Sequence, residues 1–157
     1  MKTLKNEIKI SGVGLHSGEK TAVRLMPSER PGIWFANKAG ELSSVVEAVV
    51  EEDQRLTGFS LPNGVTVRTG EHMLAAIAGM ELEAVEIVLE GGEVPIMDGS
   101  AFPFAEAINE TGFADAPGET QRRALSAPIA LEESGGKRFL AAVPSEKLCV
   151  SYVIDYF

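Results

Sequence analysis

Residues 69–80 read TGEHMLAAIAGM, and within them the period of the apolar side chains changes. Upstream the pattern has period two. Ile8 and Ile10 alternate with polar neighbours in Leu4–Ile10, and in Thr21–Met26 (TAVRLM) Ala22 and Arg24 share one face while Val23 and Leu25 share the other, as in half-buried strands. From position 71 the apolar residues fall at 73, 74, 77, 78 and 80, a helical stripe. Ala84–Leu89 (AVEIVL) then returns to strand alternation. Thr69 is a candidate N-cap for the helix, which puts Glu71 and His72 in its first turn.

The remaining punctuation fits around that helix. SGVGLHSG (11–18), with its glycines and serines, reads as a turn or loop between strands. Ile33–Phe35 and Ser44–Val50 read as strands, and Leu56–Leu61 and Val65–Arg68 flank the PNG of a hairpin. A second helix is expected from Ala101 to Glu110, with Ser100 as N-cap, Pro103 in the first turn and Gly112 as C-cap. ADAPG (114–118) looks like a linker, after which Ala124–Leu131, Arg138–Val143 and Leu148–Phe157 look like strands. Hairpins and strands with two helices, not a regular strand–helix alternation, predict an α+β fold. The expected division is 1–122 for this domain and 123–157 for the beginning of a second one of the same kind. The final VSYVIDYF has no polar tail and reads as a chain cut inside a domain.

Composition narrows the function. With 45% hydrophobic and 24% charged residues over 157 positions, a packed core is affordable. No apolar run approaches the roughly 20 residues of a membrane span, and MKTLKNEIKI lacks the apolar region of a signal peptide. A lone cysteine, Cys149, excludes an internal disulfide and suits a reducing cytoplasm. A net charge of −9 argues against bulk phosphate neutralisation, hence against nucleic acid as partner, but leaves room for an anionic small molecule. The run Glu47, Glu51, Glu52 and Asp53 reads as a solvated face.

Three stretches could carry chemistry. At a helix N-terminus the orphan N–H groups favour an ionised Glu71 and a neutral His72, the form of imidazole that binds a metal. A metal that acidifies a water, beside a carboxylate that takes its proton, is a hydrolytic apparatus. The alternative is a dipole-partnered glutamate next to a capped core histidine. There is no second histidine four residues on, so the pair is not the HExxH helix of metalloproteases. SGVGLHSG is either a tight turn or a weak phosphate nest, with His16 a second polar group for the same cleft. In VPIMDGSAFPF (94–104) Asp98 is either a turn-former or an acid orienting a site histidine.

In this order and spacing, GVGLHSG, TGEHMLAAIAGM and EVPIMDGSAFPF resemble the N-terminal half of the UDP-3-O-acyl-N-acetylglucosamine deacetylase family, zinc enzymes of lipid A synthesis in Gram-negative bacteria. The resemblance runs from about Ile8 to Phe104 and continues more loosely into LCVSYVIDYF. It implies a two-layer sandwich with a mostly antiparallel sheet and both helices on one face. It also implies a cytoplasmic hydrolase acting on a UDP-sugar lipid precursor, with Zn2+ as cofactor, His72 a zinc ligand and Glu71 the base that activates water. Leu15 and His16 would line the substrate cleft, and Asp98 would shape the site from the second shell of the MDGS turn. Gly70 stands where the family usually has valine. The family's remaining zinc ligands, in an HKxxD helix, and its oxyanion-stabilising lysine and histidine come from the second domain. No histidine follows His72 here, and one imidazole is too few for a zinc site. The resemblance therefore implies that the chain is truncated and inactive alone, with a complementary C-terminal half as its partner. A non-catalytic module that binds a nucleotide sugar or acyl chain, or an inert fragment, is the competing reading.

Overall fold

The structure, a computed structural model, describes residues 1–50, 57–119, 124–133 and 138–154. Glu51, Glu52 and Asp53 of the acidic run, the Leu56 start of one expected strand, the expected boundary at 122/123 and the last three residues of the final expected strand lie outside that set. The chain divides into two compact units, Met1–Thr120 and Gln121–Phe157.

The first unit contains β1 (Lys2–Leu4), β2 (Ile8–Val13), β3 (Lys20–Pro27), β4 (Gly32–Ala36), β5 (Leu42–Ser44), β6 (Val49–Val50), β7 (Phe59–Ser60), β8 (Thr66–Val67), α1 (Glu71–Gly79), β9 (Ala84–Glu90), α2 (Phe102–Thr111) and β10 (Phe113–Asp115). Seven strands form the main sheet, and its middle strand β9 runs antiparallel to β3 and parallel to β4. The pairings of β2 with β3, β4 with β5 and β1 with β10 are antiparallel too. β6, β7 and β8 make a small antiparallel sheet whose hairpin turns at Pro62–Gly64. The fold is α+β, as the change of period predicts.

One core joins these parts. α1 buries Met73, Ala76 and Ile77, an i, i+3, i+4 stripe, and α2 buries Phe104 and Ile108. They meet Leu4, Val23, Leu25 and Ile87 from the sheet. Phe35 and Phe59 pack edge to face, with centroids 5.6 Å apart and planes at 77°. Each large side chain so buried contributes about 1.5–3 kcal/mol.

Several local expectations need correction. Leu4–Ile10 is two strands, because Leu4 pairs with Phe113 while Ile8 pairs with Leu25, so the chain changes neighbours between them. Ser44–Val50 is not a continuous strand. Ser44 and Glu47 form a capping box, in which Glu47 Oε2 accepts the Ser44 N–H at 2.9 Å, and this folds Val45–Glu47 into a 3₁₀ turn. ADAPG is no linker at its start, since Ala114 and Asp115 pair with Thr3 and Lys2 at the sheet's edge. α2 begins two residues after Ser100, whose hydroxyl oxygen accepts the Phe102 N–H at 3.1 Å, and Gly112 ends it with φ +76°, a conformation costly for a side chain. Thr69 does not cap α1; Gly70 stands at that position, without a side-chain bond.

The second unit contains β11 (Ile129–Glu132) and β12 (Phe139–Ala142), an antiparallel pair. Among the described residues Ala124–Pro128 and Leu148–Ile154 form no strand, contrary to expectation.

Candidate active site

Two of the three stretches singled out above meet at the carboxylate of Glu93, the residue that precedes the third. β2 ends at Val13 and the chain turns through 14–18, closed by Gly14 N–H to Glu19 O and Gly18 N–H to Gly14 O, both at 3.0 Å. β9 ends at Glu90, turns at Gly91-Gly92 and brings Glu93 back beneath that loop. Glu93 is 3% exposed. Its Oε1 accepts the backbone N–H of His16 at 3.0 Å and the hydroxyl of Thr69 at 2.8 Å, and its Oε2 accepts the N–H of Ser17 at 2.9 Å. Thr21 Oγ1 donates to the carbonyl of Glu93 at 2.6 Å. Backbone bonds continue the stitching, from Val94 N–H to Arg68 O at 2.9 Å and from Ile96 N–H to Val13 O at 3.0 Å.

This environment fixes the charge of Glu93. Burial pushes its pKa up, but the N–H groups of His16 and Ser17 and the hydroxyls of Ser17 and Thr69 outweigh burial and bring it to about 2. Gly14 allows the close approach: a Cβ there would lie 2.4 Å from Glu93 Oε2 and 2.3 Å from Ser17 Oγ.

Thr69 sits two residues before Glu71. Its φ of +53° is uncommon for any residue with a side chain and a genuine outlier for a β-branched one. From it the chain enters α1 with Glu71 and His72 in the first turn, both half-buried. The Glu71 carboxylate has one oxygen, Oε2, shut off from solvent and without a partner among the described residues. The His72 side chain is half-buried, and no hydrogen bond to it occurs among the described residues. On the other side of the clasp Leu15 is 58% exposed and His16 is exposed as well. The structure thus ties the loop of Leu15 and His16 to the start of the helix that carries Glu71 and His72.

Asp98 stands apart from the clasp. It is exposed, and its Oδ1 accepts the N–H and the hydroxyl of Ser100 at 2.9 and 2.8 Å, the local bonds of a turn-former ahead of α2. An open groove of about 430 Å³ is lined by Ser17, Lys20, Thr21, Arg68 and Glu93 among others, but by none of Leu15, His16, Glu71 or His72. No cluster of three or more potential metal-ligating side chains occurs among the described residues. Zinc sites take three or four protein ligands, so the described residues alone do not fit one; His72 is a single candidate donor.

Glu93 and the role of Thr69 are what reading the sequence misses. The only local signal is an acid set between Gly91-Gly92 and the apolar Val94-Pro95, and nothing in it points to partners more than 70 residues away.

Comparison with known proteins covers the chain over its whole length. The sequence model of the family described as UDP-3-O-acyl N-acetylglycosamine deacetylase matches residues 1–157. Three curated proteins named UDP-3-O-acyl-N-acetylglucosamine deacetylase are similar to it. The one from Thermosynechococcus vestitus is 38% identical over 99% of this chain and 55% of its own length. Those from Saccharophagus degradans and Chromohalobacter salexigens are 36% and 37% identical, each over 99% of this chain and 52% of its own length. The chain spans about half the length of the curated relatives it matches. With the family model matching residues 1–157 and relatives 36–38% identical over 99% of its length, this chain belongs to the UDP-3-O-acyl N-acetylglycosamine deacetylase family.

Proposed function

We propose that this chain carries the water-activating part of a zinc-dependent deacetylase that removes the N-acetyl group of UDP-3-O-acyl-N-acetylglucosamine, a step of lipid A synthesis in Gram-negative bacteria. The observation that carries the reading is the Glu71-His72 pair, half-buried at a helix start, with a carboxylate oxygen and an imidazole that no neighbour among the described residues engages. A binding module has no use for an unengaged base beside an unengaged ligand.

Roles follow from chemistry. Glu71, at the positive end of α1, takes a proton from water; the hydroxide adds to the acetamide carbonyl, the amide C–N bond breaks as that proton passes to the amine nitrogen, and amine and acetate leave. His72 would be one of the residues that hold Zn2+, which when bound would acidify the attacking water. Leu15 and His16 border the cleft that takes the UDP-sugar lipid. Asp98 holds the turn before α2 and so shapes the site at one remove. The ligands and oxyanion donors that the described residues lack would come from a complementary half outside residues 1–157, and without them the 157-residue chain has no turnover. Each missing oxyanion donor is worth about 3 kcal/mol of transition-state stabilisation. The compartment would be the cytoplasm, where the exposed Cys149 stays reduced. Among the described residues no helix is long and apolar enough to cross a membrane.

A chimera tests this reading. The segment of the Thermosynechococcus deacetylase that matches residues 1–157 is replaced by this chain, and acetate release from the nucleotide sugar is measured. The chimera should be active, the 157-residue chain alone inactive, and E71A or H72A should lower kcat by about 100-fold or more, as removal of an acid–base group does. Activity of the isolated chain, or a folded chimera indifferent to both substitutions, would sink the reading.

A further inference from the structure

We propose that Glu93 is a positioning residue: its carboxylate fixes the loop of Leu15 and His16 relative to the first turn of α1. The inference rests on the deacetylase reading, in which that loop borders the substrate and that turn supplies the base. Glu93 touches neither Glu71 nor His72 through any recorded bond, so it is not itself a catalytic residue.

Four observations converge on this role. First, a carboxylate 3% exposed is an expensive core group unless every oxygen is bonded, and an apolar side chain would fill the space without that cost. Among the described residues Glu93 has no cationic partner; what it has are the N–H groups of His16 and Ser17 and the hydroxyl of Thr69. Second, those donors lie 77, 76 and 24 residues away in sequence and belong to two segments that no recorded backbone bond joins directly. Third, the Thr69 backbone is held at φ +53°, a strained geometry that persists only where the surroundings enforce it, and its hydroxyl bond to Glu93 is one such restraint. Fourth, the loop sits so close that any side chain at Gly14 would collide with the Glu93 carboxylate. A buried anion thus grips two site-bearing segments.

The chemistry of the grip is specific to a carboxylate. Glutamine has the same shape but one acceptor oxygen, so in Glu93→Gln an amide NH2 meets one of the donors and that bond is lost. Thr69→Val removes the hydroxyl at almost constant volume, whereas Thr69→Ser keeps it.

The test uses hydrogen exchange on the full 157-residue chain and kinetics on the chimera. E93Q and T69V should speed exchange of the His16 and Ser17 amides at least tenfold while leaving Val23 and Ile87, in the middle of the sheet, unchanged. T69S should match the parent. In the chimera E93Q should raise KM at least tenfold with a smaller effect on kcat. Should E93Q not fold, the T69V and T69S pair decides by the same readouts. Unchanged exchange at 16 and 17, or a uniform rise in the whole first unit, would overturn the clasp. A freed loop with unchanged KM would reduce it to a structural bond and overturn the positioning role. Absence of Glu71-dependent activity in the parent chimera would instead remove the deacetylase reading, and the positioning role with it, while the exchange result still judges the clasp.

Discussion

Glu93 ties stability to acidity as well as holding a loop. In the unfolded chain its carboxyl group takes up a proton near the ordinary value of 4.5, whereas in the fold burial is outweighed by the His16, Ser17 and Thr69 donors and the pKa is about 2. A lowered folded-state pKa means stability that is complete above the unfolded value and lost as pH falls toward the folded one. The window is therefore about pH 4.5 down to 2, and the difference corresponds to at most about 3 kcal/mol. Urea unfolding of the parent and of E93Q at pH 6 and pH 3 checks this. The parent should lose about 2 kcal/mol more than the variant over that interval, a comparison in which the other carboxylates cancel. Equal losses would show that the Glu93 bonds contribute nothing to the ionised form. This residue was invisible in the sequence because its partners are non-local, whereas the placing of Glu71 and His72 in the first turn of a helix was legible from the local apolar stripe.

At the scale of elements, legibility followed how local the cause was. The stripe Met73, Ala76 and Ile77 announces α1, and alternation announces β3 and β9, because each pattern is the burial pattern itself. The misplaced pieces depend on competition or distance. Val45 and Val46 favour a strand by β-branching, but the reciprocal Ser44–Glu47 bonds turn the chain. Ala114 and Asp115 look like linker by composition, yet they complete the sheet against a strand more than 100 residues earlier. Thr69 has the side chain of an N-cap, but its hydroxyl is taken by Glu93. The start of α2 shows the local case. Ser100 accepts the Phe102 N–H and also donates to Asp98. S100A should destabilise the first unit by about 1 kcal/mol, the usual net worth of a hydrogen bond, read as a lower urea midpoint at neutral pH; Ser100 is not the cap expected for α2, a position that Ala101 occupies without a side-chain bond. A loss near zero would mean water replaces both bonds, and Asp98 would then lose its role as the organiser of that turn.

The whole molecule divides its apolar burial unequally. Every residue of the buried core cluster lies between Leu4 and Ile108, inside the first unit. In the second unit Phe139 is 80%, Leu140 69% and Leu131 66% exposed, so its hairpin keeps its large side chains in solvent. Cooperative unfolding tracks the buried core, and exposed apolar strands contribute little to it while inviting association. A chain ending at Thr120 keeps β10, whose pairing with β1 closes the sheet, and keeps the bond from Ala116 N–H to Met1 O. It should therefore unfold in urea with a stability within about 1 kcal/mol of the full chain and a similar m-value, since m follows the surface exposed on unfolding. It should also bind less of an apolar dye, because the exposed strands are gone. The same comparison separates two grounds for the proposed lack of turnover. If the shorter chain keeps its stability, the first unit folds without residues 121–157, and the proposal then rests on missing donors and not on a failed fold. A drop of more than about 3 kcal/mol, a large part of a domain's stability, would instead make residues 121–157 part of the folding unit that presents Glu71 and His72.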